Sequence, residues 1–377
     1  MAPIRVLVID DSVVIRRVLC DVLGADPAIE VAGTAASGQI GLSKISLLKP
    51  DLVTLDVEMP GLSGLETVKE IRRLYPKLPV IMFSTLTECG ASTTLDALEL
   101  GASDYVTKPS NTGSLDVTQA RIRRELIPKV IALCPQARVG PQATLLIPPS
   151  QARRIVPAAK RQSAARVDIL AIGTSTGGPN ALAALFPSLP RNLPVPIVVV
   201  QHMPPLFTRL LSERLNKTSG LVIQEGVKGE KLETCHAWIA PGDFHMVLER
   251  REGSVHLALN QDPPENSCRP AVDVLFRSVA RTYGANVLAV VLTGMGSDGV
   301  RGCEVVREQG GQVLVQDEAS SVVWGMPGQV AAAGYADGIF PLDAMAQEIE
   351  RRVWAHRVLA GSSAGMAGES GSNGHGE

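Results

Sequence analysis

Two sets of residues in this chain have types and spacing suited to chemistry. The first is centred on GTSTGGP (173–179), where Ser175 stands among glycines directly after an apolar run. Such a loop can cradle a phosphate with its backbone amides, or it can lift a serine hydroxyl for attack. A Walker-type loop needs GxxxxGK[ST], and no lysine is present; a dinucleotide fingerprint needs glycine where Ser175 stands. Helix N-termini attract anions in any case, so phosphate binding stays open on this loop alone. G-x-S-x-G between strand and helix fits the nucleophile better. That serine needs a base and the base needs an orienting acid. VVVQHMPP (198–205) places His202 at the end of the next expected strand, and VVLTGMGSDG (290–299) brings Asp298 to the turn after a third. Taken singly, His202 reads as a satisfied structural histidine and Asp298 as a turn residue before glycine. Together, three strand ends supplying Ser, His and Asp read as a triad, in an order that differs from the Ser–Asp–His of α/β-hydrolases.

The second set lies in the first third. Asp10 and Asp11 end the first expected strand and Asp56 the third; Ser84 follows the fourth, and Lys108 the fifth. In an open parallel sheet the carboxyl ends of neighbouring strands line one crevice, so these acids can converge. Unpaired they would repel and their pKa values would rise. Mg²⁺, a hard cation with oxygen ligands, removes that conflict and neutralises an incoming phosphoryl group. A hydroxyl and an ammonium at the same rim suit phosphoryl oxygens. Each acid alone reads equally well as a helix N-cap.

The elements that must position these groups alternate. From IRVLVID (4–10) to QARIRRELIPKVIALC (119–134), short apolar runs take turns with amphipathic segments, the pattern of a doubly wound parallel sheet. Residues 138–166, rich in Pro, Ala, Ser, Gln and basic side chains, read as a linker, solvated or docking through its arginines. Alternation resumes at VDILAIG (167–173) and runs to about 355, and the interval 220–260 reads as short β-hairpins inserted in the α/β frame. The tail 361–377 is low-complexity and expected to be disordered.

With 377 residues, two domains fit; 45% hydrophobic and 20% charged residues describe a soluble globular protein. A net charge of −2 and 3% aromatic residues argue against nucleic acid as a partner. The N-terminus lacks a signal-peptide pattern and no apolar run is long enough to span a bilayer, so a cytoplasmic location without membrane insertion is expected. Six scattered cysteines (Cys20, Cys89, Cys134, Cys235, Cys268, Cys303) form no CxxC pair and read as free thiols.

VLVIDDS, LDVEMPGLSG and DYVTKPS together resemble the receiver domain of two-component response regulators over about residues 4–125, a flavodoxin-like fold. That resemblance implies phosphorylation of Asp56 by a sensor histidine kinase. It implies Mg²⁺ held by Asp11, Asp56 and the Glu58 carbonyl with Asp10 helping through water. It also implies phosphoryl sensing by Ser84, Lys108 and Tyr105. The stretch after Ser84, STLTECGASTT, is slightly long for a receiver and is expected to serve a neighbouring domain. GTSTGGP, QHMP, APGDFH, RPAVDVLF and LTGMGSDG together are similar to the catalytic domain of the CheB family of chemotaxis methylesterases, over 167–355. The resemblance implies hydrolysis of glutamate methyl esters on methyl-accepting chemotaxis receptors and deamidation of selected glutamines. Ser175 would be the nucleophile, His202 the base and then acid, and Asp298 the orienter. The backbone amides of Thr176 and Met295 would stabilise the oxyanion, and no cofactor is required for the ester chemistry. The chain departs from the family pattern at Ala271, where serine is expected, and at Gln329, where a small residue is expected; both departures bear on substrate docking. His245 reads as structural. A receiver joined to a hydrolase suggests a gate over the Ser175 rim that phosphorylation opens. The competing readings are a response regulator whose second domain binds a nucleotide or partner without catalysis, and an esterase for small molecules.

Overall fold

The computed structural model describes residues 2–108, 115–135, 166–355 and 357. Residues 138–165 of the expected linker, and the tail, fall outside them.

The N-terminal half is a five-stranded parallel sheet: β1 (Ile4–Ile9), β2 (Ile29–Ala35), β3 (Leu52–Asp56), β4 (Val80–Ser84) and β5 (Asp104–Thr107), in the order β2-β1-β3-β4-β5. The strands β3, β4 and β5 are buried along their whole length, as expected where helices cover both faces. Those helices are α1 (Val13–Gly24), α2 (Gly38–Leu48), α3 (Gly64–Leu74), α4 (Glu88–Glu99) and α5 (Leu115–Leu133). Local chemistry starts them: Ser12 caps α1, and Ser63 with Glu66 forms a capping box on α3. The chain winds one way from β1 to β2 and the other from β3 onward. The crevice between β1 and β3 is therefore the switch point, and Asp10 and Asp56 stand at it.

The C-terminal half is a seven-stranded parallel sheet ordered β14-β13-β12-β6-β7-β9-β8. Its centre is β6 (Ile169–Thr174), β7 (Ile197–Gln201) and β12 (Val287–Val291), with β13 (Gln312–Gln316) and β14 (Gly338–Phe340) to one side. Here the winding reverses between β6 and β12, which pair directly, Val291 opposite Gly173. The helices are α6 (Gly178–Leu185), α7 (Phe207–Thr218), α8 (Val272–Tyr283), α9 (Val300–Glu308), α10 (Met326–Ala332) and α11 (Leu342–Trp354).

The interval 220–260 corrects one expectation. Only β10 (His245–Arg251) and β11 (Ser254–Asn260) form a hairpin; β8 (Val222–Glu225) and β9 (His236–Ile239) extend the parallel sheet beyond β7. Ala237, Trp238 and Ile239 are buried, and that burial is available only inside the sheet, not on a solvated ribbon.

The halves touch through α4 and β5 on one side and α6 and α7 on the other. The stretch after Ser84 serves its neighbour as expected, but as helix rather than loop. Arg214 on α7 reaches Asp96 (2.6 Å) and the Ser92 carbonyl (2.7 Å) of α4, and Arg209 reaches Glu88 (2.9 Å). Asn180 donates to the Leu98 carbonyl at 2.8 Å. Tyr105 stacks on Phe207 with ring centroids 4.6 Å apart. Leu95, Leu98 and Tyr105 thus share one apolar core with Leu182, Phe207 and Leu211.

Candidate active site

Ser175 follows β6, His202 follows β7 and Asp298 lies in the turn between β12 and α9, so all three stand at one rim of the sheet. The ends of the strands are latched together. The Ser175 N–H and the Thr174 hydroxyl both donate to the Thr293 carbonyl (3.1 and 2.8 Å), and the His202 N–H donates to the Thr174 carbonyl (3.2 Å). Gly177, at φ +78°, makes the sharp turn into α6; a side chain there would also meet Val322. Gly294 lets the turn after β12 press against the serine, since a Cβ at 294 would fall 2.9 Å from that of Ser175.

The imidazole of His202 is held at both nitrogens. Nε2 lies 2.8 Å from Asp298 Oδ2, and Nδ1 lies 3.6 Å from Cys268 Sγ. Burial disfavours the imidazolium, but Cys268 and Asp298 outweigh it and raise the His202 pKa to about 10. The Ser175 side chain makes no hydrogen bond among the described residues.

Asp298 is buried and accepts from every direction. Oδ2 takes the imidazole and the Val272 N–H (2.7 Å); Oδ1 takes the Asp273 N–H (2.9 Å), the Gly299 N–H (3.0 Å) and the Asn266 amide (2.9 Å). Burial alone would raise this carboxyl. The His202 bond and charge, with the amides of Asp273 and Val272, overcome it and bring the pKa down to about 2. Val272 and Asp273 open α8 and Gly299 precedes α9, so the carboxylate sits on two helix N-termini.

The backbone amides of Thr176 and Met295 make no hydrogen bond among the described residues, which leaves both free for an oxyanion. The Thr176 side chain is otherwise engaged: its hydroxyl donates across to Asp104 Oδ2 of the N-terminal half at 2.7 Å, in a buried contact. His245 is structural, its ring bracketed by the Pro263 carbonyl (3.2 Å) and the Ala271 N–H (3.3 Å). Gln329 is exposed on α10.

At the other rim, carboxylate oxygens of Asp10, Asp11 and Asp56 lie within 4.8 Å of one another. Burial drives the Asp56 carboxyl up to about 6 against the pull of Lys108, whose Nζ is 2.7 Å from Asp56 Oδ1 and 3.4 Å from Asp10 Oδ2. Asp10 is raised by burial likewise. Asp56 Oδ2 is buried without a hydrogen-bond partner among the described residues. A partly neutralised cluster of hard oxygen donors with an orphaned carboxylate oxygen fits a divalent cation. The Glu58 N–H donates to Asp56 Oδ1 at 3.3 Å, which sets that residue beside the cluster. Ser84 and Tyr105 point elsewhere. The Ser84 hydroxyl bonds within α4, to the Gly90 carbonyl (3.1 Å) and Thr94 (2.6 Å), and Tyr105 is committed to Phe207.

Comparison with known proteins gives a match for each half of the chain. Residues 170–349 match the CheB methylesterase family model and residues 6–118 the response regulator receiver domain. A protein-glutamate methylesterase/protein-glutamine glutaminase from Trichodesmium erythraeum is 51% identical over 94% of this chain and 100% of its own length. One from a Nocardioides species is 50% identical over 95% of this chain and 97% of its own length. The chain belongs to the CheB methylesterase family. Ser175, His202 and Asp298 fall within the first match, and Asp10, Asp11 and Asp56 within the second. Other side chains, which carried no role in the sequence reading, support the elbow and the Asp298 turn. Gln201, in the quoted QHMP, donates to the Ser175 carbonyl at 3.0 Å and steadies the elbow. Asp273, in RPAVD, accepts from Gly299 (3.0 Å) and Gly302 (2.7 Å) and braces the Asp298 turn. Asn266 and Cys268 carried no motif signal, because their partners lie 32 and 66 residues away, and Asp104, though within DYVTKPS, meets a partner 72 residues away.

Proposed function

We propose that this chain hydrolyses γ-glutamyl methyl esters on methyl-accepting chemotaxis receptors and deamidates selected receptor glutamines. A receiver unit over 4–125 would control a catalytic unit over 167–355. In this reading the Ser175 hydroxyl attacks the ester carbonyl as its proton passes to His202 Nδ1. Asp298 holds the opposite nitrogen and stabilises the imidazolium. The carbonyl oxygen gathers negative charge against the amides of Thr176 and Met295. His202 returns the proton to the departing methoxide, methanol leaves, and water admitted by the same base hydrolyses the acyl-serine. The observation that carries the reading is that Ser175, the Asp298-bound imidazole and two amides without a partner among the described residues all stand at one sheet rim.

The receiver supplies the switch. Asp56 accepts the phosphoryl group from a sensor histidine kinase, with Asp10, Asp11, Asp56 and Glu58 holding Mg²⁺ and Lys108 pairing the phosphoryl oxygens. Bound Mg²⁺ supplies the positive charge that offsets the incoming phosphate. Phosphorylation draws Ser84 toward the phosphoryl group and away from α4. The α4–β5 face then changes, and with it the Tyr105–Phe207 stack and the Asp104–Thr176 bond that keep the receiver over the elbow. The test is methanol release from a methylated receptor cytoplasmic fragment, with and without a small phosphodonor and Mg²⁺. Release that rises with phosphodonor and vanishes in Ser175→Ala supports the reading; no release from a folded protein phosphorylated at Asp56 rejects it.

A further inference from the structure

All six cysteines read as free thiols in the sequence, and in the structure one of them, Cys268, stands against the His202 imidazole. Asp298 claims His202 Nε2, so Nδ1 is the only ring nitrogen left to take a proton, and Cys268 Sγ lies 3.6 Å from it. Thiol, imidazole and carboxylate thus stand in the order that activates a cysteine nucleophile. The sulfur is held there by a built turn. Glu265 and Cys268 exchange backbone hydrogen bonds (2.8 and 3.1 Å) across Asn266 and Ser267, both left-handed. Asn266 is tied to Asp298, and Glu265 to Arg277 by a two-pronged ion pair. Cys268 is partly exposed, so small reagents reach it.

We propose that Cys268 is a thiol modification site mounted on the catalytic imidazole, through which peroxide-class oxidants and carbon electrophiles switch the esterase off. With a peroxide, the thiol proton moves to His202 Nδ1 and the sulfur attacks one peroxide oxygen. The O–O bond breaks, and the departing hydroxide takes the proton from Nδ1 to leave as water. Cys268 is oxidised to the sulfenic acid and the peroxide is reduced. With iodoacetamide, a sulfur–carbon bond forms and iodide leaves. Either adduct fills the space beside Nδ1 and keeps the Ser175 hydroxyl from it.

The inference rests on His202 as the esterase base for its consequence, but not for its chemistry, and the test separates the two. Full-length protein is treated with limiting iodoacetamide at pH 7, and modification of Cys268 is followed by mass spectrometry against exposed Cys89 in the same molecules. An imidazole within reach of the thiol proton assists the attack as a general base, so Cys268 should react about tenfold faster than Cys89 or more. The excess should disappear in urea, where no variant is needed, and in His202→Gln. In parallel, methanol release is read before and after treatment with iodoacetamide or hydrogen peroxide. Wild type should lose its activity in step with Cys268 modification, while Cys268→Ser, whatever its own starting rate, keeps that rate. Equal rates at Cys268 and Cys89 in the native protein overturn the proposal, as does full activity after complete modification. Absence of methanol release before treatment counts against the esterase reading alone, and the native Cys268 to Cys89 ratio still decides the site.

Discussion

Asp104→Ala should raise the methanol release of the unphosphorylated chain about tenfold or more. The Asp104 carboxylate has three partners: the Tyr105 N–H (2.8 Å), Lys129 Nζ (3.0 Å) and the Thr176 hydroxyl (2.7 Å). The first two belong to the receiver itself and persist whether or not it is docked, so they cancel between closed and open forms. Only the Thr176 bond crosses. A hydrogen bond to a charged, buried group is worth about 1.5–3 kcal/mol. Removing it shifts the closed–open balance by about 10- to 150-fold. The gain stops where the site is fully open, so the phosphorylated wild type sets the ceiling. Asp104→Asn, which still offers an oxygen to Thr176, should give a smaller rise. The assay is methanol release from a methylated receptor fragment with and without phosphodonor, and a thermal melt shows that the receiver remains folded without the Lys129 partner. The wild type should respond strongly to phosphodonor and the alanine variant weakly, from a higher baseline. Equal unphosphorylated rates in the two proteins would refute the gate, and so would a variant raised by the same factor in both states.

Other perturbations read the remaining parts of the site. Ser175→Ala should lower release by more than about 10³-fold with the melting temperature unchanged, since the hydroxyl makes no bond among the described residues for the fold to lose. Esterase kcat/KM should climb with pH as the imidazolium deprotonates, and the wild-type inflection should fall in Asp298→Asn, which removes one of the groups that raise His202. Urea unfolding should give a stability plateau. His202, raised above its unfolded value of about 6.5, contributes fully below that pH and loses its contribution as pH climbs toward about 10. Asp298, depressed to about 2, contributes above about 3.8 and loses its contribution as pH falls below it; Asp298→Asn should flatten both limbs. Mg²⁺ at ten times its Kd should stabilise the receiver by about 1.4 kcal/mol in thermal melts, and Asp11→Asn should require more Mg²⁺ for the same shift.

What could be read from the sequence was whatever is local. Alternation of apolar runs foretold both parallel sheets, because a strand buried on both faces is continuous in its apolar residues, and β4 and β7 are such runs. Strand ends placed Ser175, His202, Asp10 and Asp56 at their rims, since a switch point follows from winding direction alone. The failures share a cause. β8 and β9 are four residues each and carry no period long enough to separate a sheet edge from a hairpin. Ser84 and Tyr105, the phosphoryl-sensing residues that the receiver resemblance implies, bond and stack in this structure onto α4 and α7, elements that a motif does not contain. Cys268 meets His202 only because two left-handed residues turn the chain before a proline, a conformation that Asn266 and Ser267 do not announce.

The departure at Ala271 shows how closely the ester chemistry is tied to the fold. Ala271 is the N-cap of α8 and offers no side chain to its amides; the serine expected there would have bonded to one of them. Asp298 takes over that duty, accepting from Val272 and Asp273 while it holds the imidazole. One carboxylate therefore caps a helix and orients a base. Its low pKa belongs to both roles, because the helix N-terminus favours the anion the triad needs. It follows that Asp298→Asn should cost stability as well as rate, since an amide nitrogen in the place of Oδ2 accepts from neither Val272 nor the imidazole. Ala271→Ser should recover part of that stability, since a hydroxyl at the N-cap replaces a missing acceptor, yet leave the rate of Asp298→Asn low, since it cannot reach His202's charge. Recovery of rate together with stability would mean that Asp298 acts through the helix rather than on the imidazole.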